Sequence, residues 1–431
     1  VASVILGDWT HRRGDAGGSR AVPAEIDKPR PTVAWSWRPE HGGPVDQVRV
    51  VGDNVIVATM MPRDGGAPGW EQAVLYVIDA HTGVVVARRV LPDPVPVAAM
   101  VVESGTLHVV ATRRGEPIFW YALSPADLVP KHRRVVVLAT RYDDVLEAWA
   151  APGGSLWLEL EASTESDARH ALAYAFADGA GASPATHRHE DDAAEGTPVA
   201  RDACAGGNQL FAPVDGRWTH APPVPPALAR LSPRADREAP WVSATIVGPR
   251  SQIHAVAVDG VICAVATAQD PQRPERAQVE AFAVDRATGV VQWRALGDRV
   301  EVRPQLGDSA RVARRPNGEL LFQSLGADRT PSSALLCARP DGRLDAIALG
   351  TRGRWVLDAA LGDLVLAHRE NKDGRVEVGG FAIDGEGRLL GRRGALRWTL
   401  DVGDLGASTT VYAGAGAVFV RGTRAVCAVR L

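Results

Sequence analysis

Lysine is almost missing from this sequence. Of its 48 basic residues only Lys28, Lys131 and Lys372 are lysines, and the rest are arginines. They are balanced by 51 acidic residues, which leaves a formal net charge of −3 and an isoelectric point near 6.4. That balance excludes a chain-wide basic footprint for nucleic acid and a polybasic patch for a membrane surface. Cysteine is nearly as scarce. Cys204, Cys263, Cys337 and Cys427 stand far apart, so neither a Cys-x-x-Cys redox pair nor a haem-attachment motif exists. Three of them lie inside apolar runs, where a reduced, buried thiol is expected to behave as a small hydrophobe. The asparagines are only Asn54, Asn208, Asn317 and Asn371. No apolar stretch approaches the roughly 18 residues of a membrane span, and helical periodicity is sparse. Val1-Ala-Ser-Val-Ile-Leu6 is apolar, but too short for a signal core, and runs straight into Asp8-Trp-Thr-His-Arg-Arg13.

What is abundant is a repeat. Eight times a short apolar run meets a Gly-centred turn and a second apolar run follows. The turns fall at Gly52, Gly105, Gly154, Gly207, Gly260, Gly318, Gly362 and Gly416, at intervals of 44 to 58 residues. Val48-Arg-Val-Val51 leads into Asn54-Val-Ile-Val57, and Ile253-His-Ala-Val-Ala-Val258 into Val261-Ile-Cys-Ala-Val265. Short β-branched runs broken by Gly, Asn and Asp predict hairpins rather than helices. A second hairpin follows most of the first ones, as in Leu75-Tyr-Val-Ile-Asp79-Ala-His-Thr-Gly83 and Val279-Glu-Ala-Phe-Ala-Val-Asp285-Arg-Ala-Thr-Gly289.

Two hairpins per repeat make a four-stranded unit. The expected fold is therefore all-β: an eight-bladed β-propeller of four-stranded antiparallel blades, with seven blades as the alternative count. The eighth repeat ends one strand short at Leu431. Thr32-Val-Ala-Trp-Ser-Trp37 has no other partner and is expected to close the ring as that missing outer strand. Residues 1–31 then form an N-terminal arm and residues 32–431 a single propeller domain.

The pattern Ala283-x-Asp285-x-x-x-Gly289-x-x-x-Trp293 resembles the docking motif of the PQQ-like, quinoprotein-type β-propellers. The opening Gly7-Asp-Trp9 and the Trp35-Ser-Trp37 strand are similar to that family's usual beginning. The resemblance implies that Trp293 stacks on a peptide of the next blade. It departs from the family at Val290, where Lys is usual, and at Ala87, where the first blade lacks the tryptophan. Junctions without the tryptophan are expected to rest on plain apolar packing. Family habit favours a periplasmic or extracellular location, with the cytoplasm as the other option.

The same resemblance raises a PQQ-dependent dehydrogenase, which would carry adjacent cysteines against the quinone and Ca²⁺ held by Glu and Asn oxygens. No Cys-Cys pair exists here, so no cofactor is expected and no catalytic residue is assigned. His187-Arg-His189-Glu190-Asp191-Asp192 has transition-metal donors, His187 and His189 being weak candidates. With Asp143 and Asp144 in the preceding connection, Glu190, Asp191 and Asp192 read better as an acidic partner-facing patch or as solvated loops. Trp70, read as lying in the Pro/Gly loop Met61–Trp70, is the best single candidate for a binding anchor. Trp218–Pro226 is polyproline-prone and reads as a stiff loop. Arg13-Gly-Asp15 and Gly414-Ala-Gly416 match an adhesion tripeptide and part of a phosphate loop only by chance.

The expected function is a non-enzymatic protein-binding or assembly scaffold, monomeric, with another protein as partner. It has neither a nucleic-acid ligand nor a transmembrane segment. The alternatives are a quinone- or metal-dependent oxidoreductase with a non-standard site, or a small-ligand site at the central pore.

Overall fold

The computed structural model describes residues 21–22, 31–62, 70–113 and 116–136, then the strands and some turns between 142 and 348. It also describes residues 355–431 apart from 363 and 383–394. Every regular element among the described residues is a β-strand, and no helix there is long and apolar enough to cross a membrane.

The strands form eight sheets, built in chain order from residues 45–90, 97–136, 142–176, 204–244, 252–300, 311–348, 356–403 and 410–430. Within each sheet, consecutive strands pair antiparallel, as hairpins must. The third sheet shows three strands among the described residues. The eighth takes its fourth strand from the other end of the chain. Thr32–Trp37 pairs antiparallel with Val426–Arg430, setting Val33 opposite Val429 and Trp37 opposite Val426. The expected closing strand is thus in place.

The first strands of successive sheets touch one another in turn, from Val45–Val51 through Val356–Leu361 to Thr410–Gly414, which returns to Val45–Val51. Each sheet therefore packs face to face between two others, and its middle strands are covered on both sides. That is why Asn54–Pro62 is a near-continuous apolar run rather than an alternating one. Its successive side chains point to opposite faces. Val55 and Val57 join a core shared with the seventh and eighth sheets, while Ile56 and Ala58 join one shared with the second. The fourth strand, Val85–Val90, lies at the rim and is largely exposed.

The second hairpin of the repeat has the same turn wherever its Asp-x-x-Thr-Gly is intact. Asp79 Oδ1 accepts from Thr82 N (2.8 Å), Thr82 Oγ1 (2.7 Å) and His81 N (3.1 Å). Asp285 Oδ1 accepts from Thr288 N and Thr288 Oγ1, both at 2.8 Å. The hydrogen bonds from Thr82 hold the Asp79 carboxyl below its ordinary range.

Candidate functional site

Strands alternate in direction, so the starts of the first and third strands of every sheet share one end with the connections between sheets. At this entry end the first sheet places Asp46 and Trp70, the third Tyr142, Asp143 and Asp144, the fifth Gln252 and the sixth Arg311.

Two expectations need correction here. Trp70 is not a loop residue: it opens the strand Trp70–Asp79, its backbone paired with Pro62. Asp143 and Asp144 are not in a connection either: they lie in the strand Tyr142–Ala151, at a bulge where Asp144 faces Glu161. Both follow from pairing, since an antiparallel partner extends a strand into residues that look like loop by composition. Part of the proline-rich stretch is likewise strand, because Val224–Leu231 begins inside it. The structure brings Trp70, Asp143 and Asp144 to the same end of two sheets. His187, His189, Glu190, Asp191 and Asp192 lie outside the described residues.

At the seam between the eighth and first sheets sits a cluster that sequence reading missed. Trp37 meets the Tyr76 ring edge-on at 4.9 Å, and His41 approaches the same ring at 6.2 Å. Arg88 donates to the Tyr76 hydroxyl (3.3 Å), with its guanidinium 5.9 Å from the ring centroid. His41 Nε2 lies 3.1 Å from Thr59 Oγ1, and that hydroxyl donates to Val74 O at 3.3 Å. Since the hydroxyl's proton is used there, the imidazole donates from Nε2 and leaves Nδ1 bare. Nδ1 is buried with no hydrogen-bond partner among the described residues. Burial, with the charge of Arg88 behind it, lowers the His41 pKa, so the ring is neutral. His41 thus supports Thr59 rather than activating it as a nucleophile. Nearby, burial pushes the Asp46 carboxyl up to about 6 against the opposing pull of Arg421. The signal that could have found this cluster is the pair of tryptophans in the closing strand.

The seams themselves use two devices. Trp35 Nε1 donates to Ala80 O (2.9 Å), and the ring lies against Gly83 so closely that a Cβ there would be 2.7 Å from Trp35 Cγ. Gly83 also has φ of 73°, which favours glycine on a second ground. Trp293, with Ala283, packs into a core shared by the fifth and sixth sheets, so it does join neighbours.

Where the first sheet has Ala87 instead of tryptophan, apolar packing is not alone. Gln47 Nε2 donates to Ala98 O (2.5 Å) and its Oε1 accepts from Met100 N (3.1 Å). Gln323 does the same to the seventh sheet, with Nε2 to Trp355 O (2.5 Å) and Leu357 N to Oε1 (2.8 Å). Each amide binds a carbonyl and the N–H two residues on, as a neighbouring strand would. The buried Arg49 adds bonds to Met100 O (2.7 Å), Val48 O (2.6 Å) and Gln47 Oε1 (3.1 Å).

No family model matches the chain, and no curated protein matches it in sequence. Solved structures do resemble it. The quinohemoprotein alcohol dehydrogenase of Comamonas testosteroni is 12% identical, with a TM-score of 0.56 over 98% of this chain and 80% of that one. A europium-containing methanol dehydrogenase is 10% identical, with a TM-score of 0.57 over 98% of both chains. BamB of Moraxella catarrhalis is 12% identical, with a TM-score of 0.51 over 94% of this chain and 98% of that one. At these identities the likeness establishes the fold: the chain has the PQQ-like β-propeller fold that these proteins share.

The cysteines among the described residues do not supply the adjacent pair expected of a quinone site. Cys263, Cys337 and Cys427 are buried in strands of the fifth, sixth and eighth sheets, so no two could stand adjacent against a quinone. Burial pushes the Cys337 thiol up to about 11 and the Cys427 thiol up to about 12, which keeps both protonated. Among the described residues, no group of three His, Cys, Asp or Glu side chains is placed to share a metal ion.

Proposed function

We propose that this chain is an eight-bladed propeller that acts as a non-enzymatic protein-binding platform, with the entry end as its working surface. The eight sheets and the closed succession of their first strands support the count. The observation that carries the functional reading is what the described reactive side chains do. Three cysteines are buried in separate sheets, His41 donates to Thr59, and Gln47, Arg49 and Gln323 bind backbone of a neighbouring strand or their own. They build a rigid ring, and rigidity is what a platform for irregular loops requires. Trp70, Asp143 and Asp144 are the anchors to test, together with the acidic run Glu190, Asp191 and Asp192.

The second reading, a quinone- or metal-dependent oxidoreductase, is favoured by the likeness to alcohol and methanol dehydrogenases. Titrating the full chain with PQQ and Ca²⁺, read by its tryptophan fluorescence, separates the two. The platform reading expects a flat response, and saturable quenching would overturn it. On the positive side, a protein retained by the wild-type chain should be released by Trp70→Ala or by the Asp143→Ala/Asp144→Ala pair. Full retention by both variants would move the surface elsewhere.

A further inference from the structure

The first strand of the seventh sheet, Val356–Leu361, has two hydrogen-bonding edges. Leu364–Glu370 pairs with one of them. On the other lies Ala21–Val22, parallel, with Ala21 opposite Ala360 and Val22 opposite Leu361. This is the inner edge, because the strand is flanked by the first strands of the sixth and eighth sheets and lies first in its own. Among the described residues this is the only first strand with an added neighbour on that edge. Among the described residues it is also the only parallel pair, and like the closing strand Thr32–Trp37 it extends a sheet by a segment that no hairpin delivers. An unpaired inner edge presents backbone N–H and C=O groups to any extended chain that can reach them. The meeting residues are small or aliphatic, Ala21 and Val22 against Ala360 and Leu361, which suits close backbone approach.

We propose that the inner edge of the seventh sheet is a strand-addition site for an extended, small-residue peptide, and that the N-terminal arm is its resident occupant. A peptide from outside must displace Ala21–Val22 to bind. The proposal rests on the ring reading above. Recognition is by backbone hydrogen bonds, so it is tolerant of sequence apart from bulk. Because the arm is tethered, its effective concentration is of millimolar order, so an arm whose own intrinsic affinity is about 100 μM weakens any competitor roughly tenfold.

Three measurements on the full-length chain test it. Under mild oxidation Ala21→Cys/Ala360→Cys should cross-link, as read by peptide mapping, whereas Ala21→Cys/Ala413→Cys should not. Separately, Val33→Cys/Val429→Cys reports the ring-closing pair, so a failed ring and a failed arm site give different patterns. In the third, residues 19–24 are replaced by Gly and Ser, and a fluorescein-labelled peptide of residues 15–28 is titrated by anisotropy. It should bind this chain about tenfold more tightly than the wild type. If the replaced chain misfolds, the Ala21→Pro/Val22→Pro double variant stands in, since it removes both N–H donors. Equal peptide affinity in both chains, no binding to the arm-altered chain, or cross-linking of the control pair would overturn the proposal.

Discussion

The seam between the eighth and first sheets and the seam between the sixth and seventh do the same job with different chemistry. At the first, Trp35 covers Gly83 and donates one hydrogen bond to Ala80 O. At the second, Gln323 supplies two, to Trp355 O and from Leu357 N. A tryptophan holds a neighbour chiefly by the area it takes from water, a force that tolerates small shifts. An amide between two strands holds by direction, and fails if either partner moves by a fraction of an ångström. The first seam joins a sheet completed by the strand Thr32–Trp37 to the sheet that follows that strand, and the second joins two sheets adjacent in chain order.

The largest effect should come from converting the buried amide into an acid. In Gln323→Glu a carboxylate would face Trp355 O without a donor, at a site 3% exposed. A loss of about 3–5 kcal/mol at pH 8 is expected, seen as a fall in the urea midpoint. The sign with pH follows from burial. The folded-state pKa of the new acid is raised, so stability is intact below its unfolded value and is lost as pH rises through the folded one. The protonated acid can donate to Trp355 O, so acidification should restore much of the loss. A pH-independent deficit would mean that the amide's geometry, not its donor, matters.

Trp35→Ala should cost about 3 kcal/mol by opening a space over Gly83. If it costs no more than a surface substitution, the apolar seam is not what closes the ring. Gln47→Ala should cost less, about 1–2 kcal/mol, because Gln47 is half-buried and water can reach part of what it leaves unpaired. Comparing it with Gln323→Ala sets a half-buried amide against a buried one, both with the same pair of seam bonds and Gln47 with Arg49 as a further partner.

The last effect is of similar size and has the opposite sign. Asp46 lies beside the eighth–first seam with its carboxyl pushed up to about 6 by burial. Its contribution is complete below the unfolded carboxylate pKa and is lost as pH rises through about 6. Asp46→Asn should therefore stabilise the chain at pH 7.5 by about 1–2 kcal/mol and do little at pH 4. An unchanged denaturation midpoint at both values would show that Arg421 already balances the burial.

Much of the fold was legible because it is local. Gly52 and Gly105 sit at left-handed turns, as the repeat pattern required, and Asp79–Gly83 and Asp285–Gly289 form the same turn from the same residues. The closing strand was legible too, since Thr32–Trp37 had strand composition and nothing else to pair with. The site was legible only in part. Trp70, Asp143 and Asp144 share an end of the sheets, but composition placed them in loops, because a strand's first residues are set by its partner rather than by themselves.

The sequence by itself determined the repeat, the hairpins, the buried alternation of Val55, Ile56 and Val57, and the absence of adjacent cysteines. These depend on residue identity within a few positions. Only the tertiary structure decided that Gln47 and Gln323 span seams, that His41 serves Thr59, and that Ala21–Val22 lies against Ala360–Leu361. In the seams and the arm, one partner is backbone from a distant part of the chain. Backbone amides are the same at every residue, so no pattern of side chains announces where they will be met.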